Sequence, residues 1–255
     1  MLFLLPPSES KLGGGSVGRQ LRLAELGWSS LDPQRRRALE DLAVLSADRE
    51  ASLRALKLGP RSGDEVERNV HVLDSPTMRV LERYTGVLFD PIRASSLADD
   101  SWRWAADHVV VHSALFGLVG AADPVPAYRL SHDSRLPGAT LKQRWRVPVA
   151  EALDASGRTV VDLRSAGYAE LGPGPEGRSS TVRVVSDEGG RRRALNHFNK
   201  KAKGLFVRAL LADRPHLVRI EDLVAWAESR QIGLEPGEGG ALTLVAESLD
   251  VRHGA

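Results

Sequence analysis

Seven polar side chains of types that serve proton transfer and anion binding lie near the predicted ends of strands. They are Lys11, Ser113, Asp123, Tyr128, Arg129, Asp162 and Lys200. Lysine, serine and tyrosine can move protons or attack an electrophile, and arginine and lysine bind anionic groups. If these side chains meet in one pocket, they suit an enzyme that acts on an anionic nucleotide or nucleobase substrate.

The reaction class of such an enzyme stays open. Residues 13–18, GGGSVG, match the letters of the G-x-S-x-G and G-x-G-x-x-G motifs, but the next predicted helix begins only at residue 32, so the strand–turn–helix context that both motifs require is missing. The glycine-rich residues 12–18 also lack the spacing of a phosphate loop, which favours a flexible surface loop. For Asp123 a structural alternative is open, in which it caps a turn and pairs with Arg129.

A second group of candidate residues lies in the basic stretch 191–211. Residues 191–208 hold seven Lys or Arg and no acid, which places positive potential in one short segment. On a helix, the apolar residues of this stretch fall on one face and the basic residues on the opposite one. The residues expected to contact the phosphates of duplex or branched DNA are His197, Lys200, Lys201, Lys203, Gly204 and Arg208.

Gly204 lies within this predicted helix. A glycine in a helix interior costs about 1 kcal/mol relative to alanine, so the position predicts a close approach to the backbone. A phosphate and a neighbouring helix or loop are both candidates. By contrast, the basic run at residues 35–37 is closely followed by acids, which indicates a solvated helix face.

The elements that must position these residues alternate between apolar runs and amphipathic segments. Strands are predicted at residues 1–5, 108–113, 158–164, 181–186 and 241–247. Helices are predicted at residues 32–46, 47–58, 63–73, 75–86, 191–211 and 219–230. This order predicts an α/β (mixed α+β) fold with a central mixed sheet and flanking helices, in which 191–230 forms a helical hairpin.

Length and composition bound the class of protein. The 255 residues are 42% hydrophobic and 27% charged with a net charge of +2, which fits one globular domain over 1–255. No apolar run is long enough to span a membrane, and the start of the chain has no features of a signal sequence. We therefore expect a cytoplasmic monomer.

Metal and cofactor chemistry is not indicated. The chain has no cysteine, which excludes disulfides, thiolate catalysis and cysteine-ligated zinc. The seven histidines are scattered, and His108 and His112 are separated by their spacing on a predicted strand. Direct iron binding is the least favoured hypothesis, and no cofactor is expected.

Five segments taken together resemble the YaaA peroxide-stress family. They read PPSESK at 6–11, RYTGVLFD at 83–90, HSALFGLVGAADPVPAYRL at 112–130, VVDLRSAGY at 160–168 and LNHFNKKAKGLFVRALL at 195–211. The family's signature positions fall on Ser8, Lys11, Tyr84, Gly86, Ser113, Gly117, Asp123, Tyr128, Arg129, Asp162, Ser165, Tyr168, Lys200, Lys201 and Gly204. Phe116 and Lys203 depart from the pattern, which has tyrosine and arginine more often at these places.

The resemblance implies a single-domain fold distinctive to that family, with a helix-hairpin-helix-like basic element that binds duplex and branched DNA. It also implies a role in limiting free iron and oxidative damage under hydrogen peroxide stress. Because the KKAKG segment belongs to the signature, Lys200 is expected to face the pocket, whereas Lys201, Lys203 and Arg208 face phosphates.

Overall fold

The computed structural model describes residues 1–188, 191–194 and 198–250. Its strands are β1 (Leu2–Leu5), β2 (Met78–Arg79), β3 (Val109–Ser113), β4 (Gly117–Gly120), β5 (Pro124–Val125), β6 (Val160–Asp162), β7 (Ser179–Glu188), β8 (Arg191–Ala194), β9 (Leu234–Pro236) and β10 (Leu242–Val245). The apolar runs predicted as strands form β1, β3, β6, β7 and β10. All residues of β1 and β3 are buried, as continuous apolar runs predict.

The helices cover most of the remaining chain. They are α1 (Asp32–Ser46), α2 (Arg49–Ala55), α3 (Gly63–Val70), α4 (Val80–Arg83), α5 (Asp99–His108), α6 (Leu141–Ala155), α7 (Ala166–Ala169), α8 (Phe198–Asp213), α9 (Ile220–Ser229) and α10 (Glu247–Asp250). In α6, a capping box between Thr140 and Gln143 fixes the first turn. Within the described part of the chain, no helix combines the length and apolar character needed to cross a membrane.

Seven strands form one mixed sheet in the order β4-β3-β1-β6-β7-β10-β9, and β8 pairs with the end of β7. Strand β1 lies between β3 and β6 and is parallel to both, while β4 is antiparallel to β3. Strand β10 is parallel to β7 and pairs antiparallel with β9, which forms the edge of the sheet. The mixed α/β class predicted from the sequence is confirmed.

Helices pack on both faces of the sheet. On one face, Phe3 of β1 contacts Trp104 of α5 and Phe206 of α8, with ring centroids 5.8 and 6.3 Å apart. On the other face, α6 approaches β3, and Gly172 lies between Val149 and His112. Trp145 of α6 donates its indole N–H to the Ala114 carbonyl at 2.8 Å, which ties α6 to the end of β3.

The basic stretch is not one helix, which corrects the prediction for residues 191–194. Residues 191–194 form β8, which pairs antiparallel with β7, and α8 begins at Phe198. His197 lies outside the described residues. Helix α9 follows α8 after residues 214–219, and Trp226 of α9 donates to Asp213 at 3.0 Å. The helix-hairpin-helix character of this pair stays a prediction.

Arg35 is fully buried, so the predicted solvated face for residues 35–37 is wrong at this position. Its guanidinium donates to the carbonyls of Phe116, Gly27 and Leu118 at 2.9, 2.7 and 2.7 Å. It also pairs with Asp32 at 2.9 Å. Arg36 is exposed, as predicted. The buried guanidinium therefore joins α1 to β4 and its flanking loop.

Replacing Arg35 should destabilise the fold strongly. In Arg35→Met the carbonyls of Phe116 and Leu118 lose a buried donor and the contacts with Gly27 and Asp32 are also lost, so we expect the free energy of unfolding to fall by about 3 to 5 kcal/mol. The matched variant Arg36→Met should change it by no more than about 0.5 kcal/mol. Urea unfolding followed by circular dichroism measures both, and equal midpoints for the two variants would contradict this role.

Candidate functional site at the carboxyl edge of the sheet

The parallel strands β1, β3 and β6 end at the same edge of the sheet. The chain crosses from β1 to β3 on one side and later reaches β6 on the other, so β1 marks a switch in strand order. Ligands of open α/β sheets bind outside the carboxyl ends of strands at such a position. The loops that follow these strands carry Lys11, Ser113 and Arg164.

Lys11 lies buried above two tyrosine rings. Its side chain is 5% exposed, and its Nζ lies 4.1 Å from the ring centroid of Tyr128 and 5.2 Å from that of Tyr84. The amine donates to the carbonyls of Ser8 at 3.0 Å and Glu9 at 3.3 Å. A backbone bridge between Lys11 and Tyr84 fixes the two residues next to each other.

The surroundings of Lys11 favour its neutral form. Burial, followed by the nearby charge of Arg129, lowers the pKa of Lys11 to about 7, with Glu65 and Glu9 opposing the shift and Arg68 adding to it. Among the described ion pairs none involves Lys11, whereas Arg129 pairs with Glu9. A substantial fraction of neutral amine is thus present near neutral pH.

Three hydroxyl groups form a chain beside Lys11. Ser113 Oγ lies 2.6 Å from Tyr128 Oη, which lies 2.7 Å from Tyr84 Oη. Ser113 Oγ also accepts the backbone N–H groups of Leu115 at 3.1 Å and Phe116 at 2.9 Å. Because both lone pairs of the Ser113 hydroxyl accept backbone N–H groups, its proton goes to Tyr128, and in the hydrogen bond between Tyr128 and Tyr84 either oxygen can be the donor.

Both tyrosines keep their protons at ordinary pH. Burial raises the pKa of Tyr128 to about 12, with Ser113 and Tyr84 opposing the shift. Burial, with the neighbouring Tyr128, raises the pKa of Tyr84 well above its ordinary value. At ordinary pH the resting hydroxyl chain is therefore a line of protonated donors.

Asp162 lies at the end of β6 but is held in a buried ion pair. Its carboxylate accepts from Arg164 Nε at 2.9 Å and from the terminal guanidinium nitrogen at 2.7 Å. Arg164 also donates to His112 Nδ1 at 2.7 Å and to the Gly172 carbonyl at 2.8 Å. Burial, with Arg164 alongside, lowers the pKa of His112 well below its ordinary value, so the ring is neutral.

Asp123 does not join this cluster. It follows β4, which runs antiparallel to β3, so it lies at the end of β4 away from Ser113. Its carboxylate accepts the N–H groups of Gly120 and Gly27, each at 2.9 Å. This is the geometry of the structural alternative, in which Asp123 caps a turn. Arg129, however, pairs with Glu9 and not with Asp123.

The predicted DNA-contacting residues of α8 divide into exposed and buried ones. Lys200 and Lys201 are exposed in its first turn. Lys203 is 6% exposed and donates to the Leu163 carbonyl at 2.9 Å, so it does not face phosphates as expected. Burial lowers the pKa of Lys203 to about 8, with Asp162 opposing the shift.

Gly204 and Arg208, the other two predicted DNA-contacting residues that the structure describes, pack against the loop at 88–92. A Cβ at Gly204 would lie 2.1 Å from the Leu88 carbonyl oxygen, so a neighbouring loop makes the close approach predicted there. Half-buried Arg208 donates to the Ile92 carbonyl at 3.2 Å. These contacts fix the position of α8, and Lys200 and Lys201 remain as the exposed lysines of its first turn.

Sequence reasoning left Tyr84, Arg164 and His112 out of the candidate site. The sequence predicts a helix at 75–86 around Tyr84, but the structure has the short strand β2 and the four-residue helix α4 there. The family signature was the signal that could have found Tyr84. Within the described residues, no group of three or more histidine, cysteine or acidic side chains is arranged to hold a metal ion.

This arrangement defines a mixed α/β protein with a lysine-centred site at the carboxyl edge of a largely parallel sheet. The family model described as peroxide stress protein YaaA matches residues 1–231. The chain belongs to this YaaA family.

Curated relatives agree with this assignment. A UPF0246 protein of Corynebacterium glutamicum (strain R) is 38% identical over 253 residues, which is 96% of this chain and 100% of the relative. A UPF0246 protein of Streptomyces coelicolor is 40% identical over 220 residues, or 83% of each chain. A more distant UPF0246 protein of Streptococcus pneumoniae is 26% identical over 74% of this chain and 79% of its own length.

The lowered pKa of Lys11, about 7, makes stability depend on pH. An unfolded lysine titrates near its ordinary value of about 10.4, so above pH 7 the unfolded chain binds more protons than the folded one. We expect the free energy of unfolding to rise between about pH 7 and 9, with at most about 1.4 kcal/mol per pH unit from Lys11.

The variant Lys11→Met isolates this contribution, because Lys203 and the amino terminus still titrate in it. Denaturant unfolding at several pH values should give a flatter pH dependence for the variant than for the wild type. Identical slopes would show that Lys11 keeps an ordinary pKa in the folded protein.

Proposed function

We propose that this peroxide stress protein binds DNA, duplex or branched, along the carboxyl edge of its sheet without reading the sequence. The observation that carries the proposal is the concentration of cations at this edge. Arg129 lies beside the loop that carries Glu9, and Lys200 and Lys201 are exposed nearby in α8. Residues 191–193, three consecutive arginines, belong to β8 beside the end of β7.

The position of α8 supports a shared ligand. Lys203 binds the Leu163 carbonyl just beyond β6, so the first turn of α8 lies near the same edge as the Lys11 cluster. Phosphates are the groups of DNA that a row of lysines and arginines binds, and such contacts carry no sequence information. DNA whose backbone contacts Lys200 and Lys201 would bring a nucleotide close to Lys11.

Binding of a labelled DNA duplex and a four-way junction should weaken as salt rises, which fluorescence anisotropy over a salt series can measure. In the double variant Lys200→Glu/Lys201→Glu, we expect the negative slope of log K against log salt to become shallower by about 1 to 2, because two phosphate contacts are lost. Arg178→Glu is the matched control, since Arg178 immediately precedes β7 at the opposite edge. Equal losses in both variants would remove the helix from the DNA interface.

A second function, catalysis on a nucleotide or nucleobase-type anionic substrate, is favoured by the Lys11 cluster. A buried amine with a lowered pKa next to a chain of hydroxyl donors is common at catalytic sites and unusual elsewhere. The two functions are compatible, because a nucleotide of bound DNA is itself such a substrate. Absence of turnover of nucleotides or DNA by the wild type would remove this second function, and turnover that persists in Lys11→Met would show that Lys11 does not carry it.

We also propose, from the family membership, that the protein acts in the cytoplasm and limits oxidative damage and free iron during peroxide stress. Cells lacking the protein should contain more iron detectable by electron paramagnetic resonance after peroxide treatment than cells expressing it. If Lys200→Glu/Lys201→Glu restores low iron as well as the wild type does, iron limitation is independent of this DNA interface.

A further inference from the structure

The Lys11 amine is oriented by the backbone around it. A neutral amine has two N–H donors and one lone pair. The carbonyls of Ser8 and Glu9, at 3.0 and 3.3 Å, take the two donors. The lone pair of the neutral amine therefore points away from the loop that carries Lys11. This is the orientation that an attacking nitrogen requires.

The Tyr84 hydroxyl supplies a proton at the same place. In the arrangement in which Tyr128 is the donor of their shared hydrogen bond, Tyr84 Oη keeps its own proton. Ser113 is no acceptor for this proton, because its lone pairs hold the N–H groups of Leu115 and Phe116. A chain of donors that begins at two backbone amides polarises each successive hydroxyl. Tyr84 is thus a donor directed toward a group outside the chain.

Space and charge are available for a substrate with phosphates. An open groove of about 740 Å³ borders this cluster and is lined by Leu12, Tyr84, Thr85, Phe89 and Arg93, among others. The guanidinium of Arg129 lies close enough to Lys11 to act on its charge, and Arg68 does so more weakly. A carbonyl compound that carries flanking phosphates matches this combination of amine, hydroxyl donor and cations.

We propose that Lys11 is a nucleophile that forms an imine with the aldehyde of an abasic sugar in DNA, with Tyr84 as the proton donor. This inference rests on the proposed function, since it requires DNA at the carboxyl edge. An abasic position is the form of DNA that presents a free aldehyde between two phosphates, and it arises when a damaged base is lost.

The step balances without an oxidant or reductant. The Lys11 lone pair attacks the aldehyde carbon, and one proton of the attacking nitrogen passes to the former carbonyl oxygen to give a neutral carbinolamine. The hydroxyl of this carbinolamine leaves as water with the proton of Tyr84. The nitrogen then loses its proton to the Tyr84 oxygen, and the C=N bond replaces the C=O bond.

The test is reductive trapping on the full-length protein. A labelled duplex with one abasic site is incubated with the protein and sodium borohydride, and a covalent protein–DNA band is sought on a denaturing gel. Peptide mass spectrometry of the wild-type adduct should place the modification on Lys11. Tyr84→Phe should slow formation of the adduct at least about tenfold, because it removes the proton donor.

Two lysines make the comparison specific. Lys11→Met should abolish the band, whereas Lys203→Met should retain it, because Lys203 is equally buried but its amine is held on the Leu163 carbonyl. Thermal unfolding shows whether each variant is folded, and the wild-type mapping needs no variant. Modification of a lysine other than Lys11, or a band that persists in folded Lys11→Met, would overturn the proposal.

Failure of this inference can be told apart from failure of DNA binding. An intact duplex of the same sequence, measured by anisotropy, reports on binding alone. If the protein binds both duplexes but gives no trapped adduct with the abasic one, imine formation is wrong and DNA binding stands. If it binds neither, both proposals fall.

Discussion

A buried guanidinium at Arg83 holds together the loops on which the candidate site depends. Its Nε donates to the Val125 carbonyl at 3.1 Å, and one terminal nitrogen donates to the carbonyls of Gly14 and Pro76 at 2.9 and 2.8 Å. The other terminal nitrogen donates to Leu12, the residue after Lys11. Five donors in one rigid fork can satisfy carbonyls from segments that share no sheet or helix. The glycine-rich loop at 12–18 is therefore exposed but tethered, and Lys11 is fixed against Tyr84.

Arg35 and Arg164 are also buried guanidinium groups that donate to backbone carbonyls. Together with Arg83 they place fixed positive charges in the interior. Arg35 binds carbonyls around β4, and Arg164 binds Asp162, His112 and the Gly172 carbonyl. In a low-dielectric interior each such charge raises the cost of another cation nearby. Lys11 lies close to Arg129 and Arg68, and none of the described ion pairs gives it a carboxylate partner. Its burial and these nearby positive charges therefore favour loss of its proton.

The sequence predicts the apolar elements well and the buried charges poorly. The runs at 1–5 and 108–113 become β1 and β3 because burial of apolar residues alone decides them. Arg35 shares a helix face with Leu31, Ala38 and Leu42, but its acceptors come from residues 116 and 118, far along the chain. No local sequence pattern indicates such distant acceptors, so the sequence predicts a solvent-exposed position for Arg35. Lys203 was misjudged for the same reason, since its acceptor is the carbonyl of Leu163. Of the candidate site, the sequence identified Lys11, Ser113, Tyr128 and Arg129, but the direction of the hydroxyl chain needed the Leu115 and Phe116 amides in three dimensions.

Helix α8 shows how one element can serve both the interior and the surface. Gly204 lets the Leu88 carbonyl approach the helix axis, and Lys203 reaches the Leu163 carbonyl beyond β6. These two contacts lie on adjacent residues and face different parts of the protein, so they fix the rotation and the position of the first turn together. Lys200 and Lys201 are then presented on a rigid helix and not on a mobile loop. Because Lys203 is anchored at the end of β6 and Lys11 follows the neighbouring β1, the spacing between the exposed lysines and the buried amine is set by the sheet itself. A ligand that contacts both meets a preorganised surface, which reduces the ordering cost of binding.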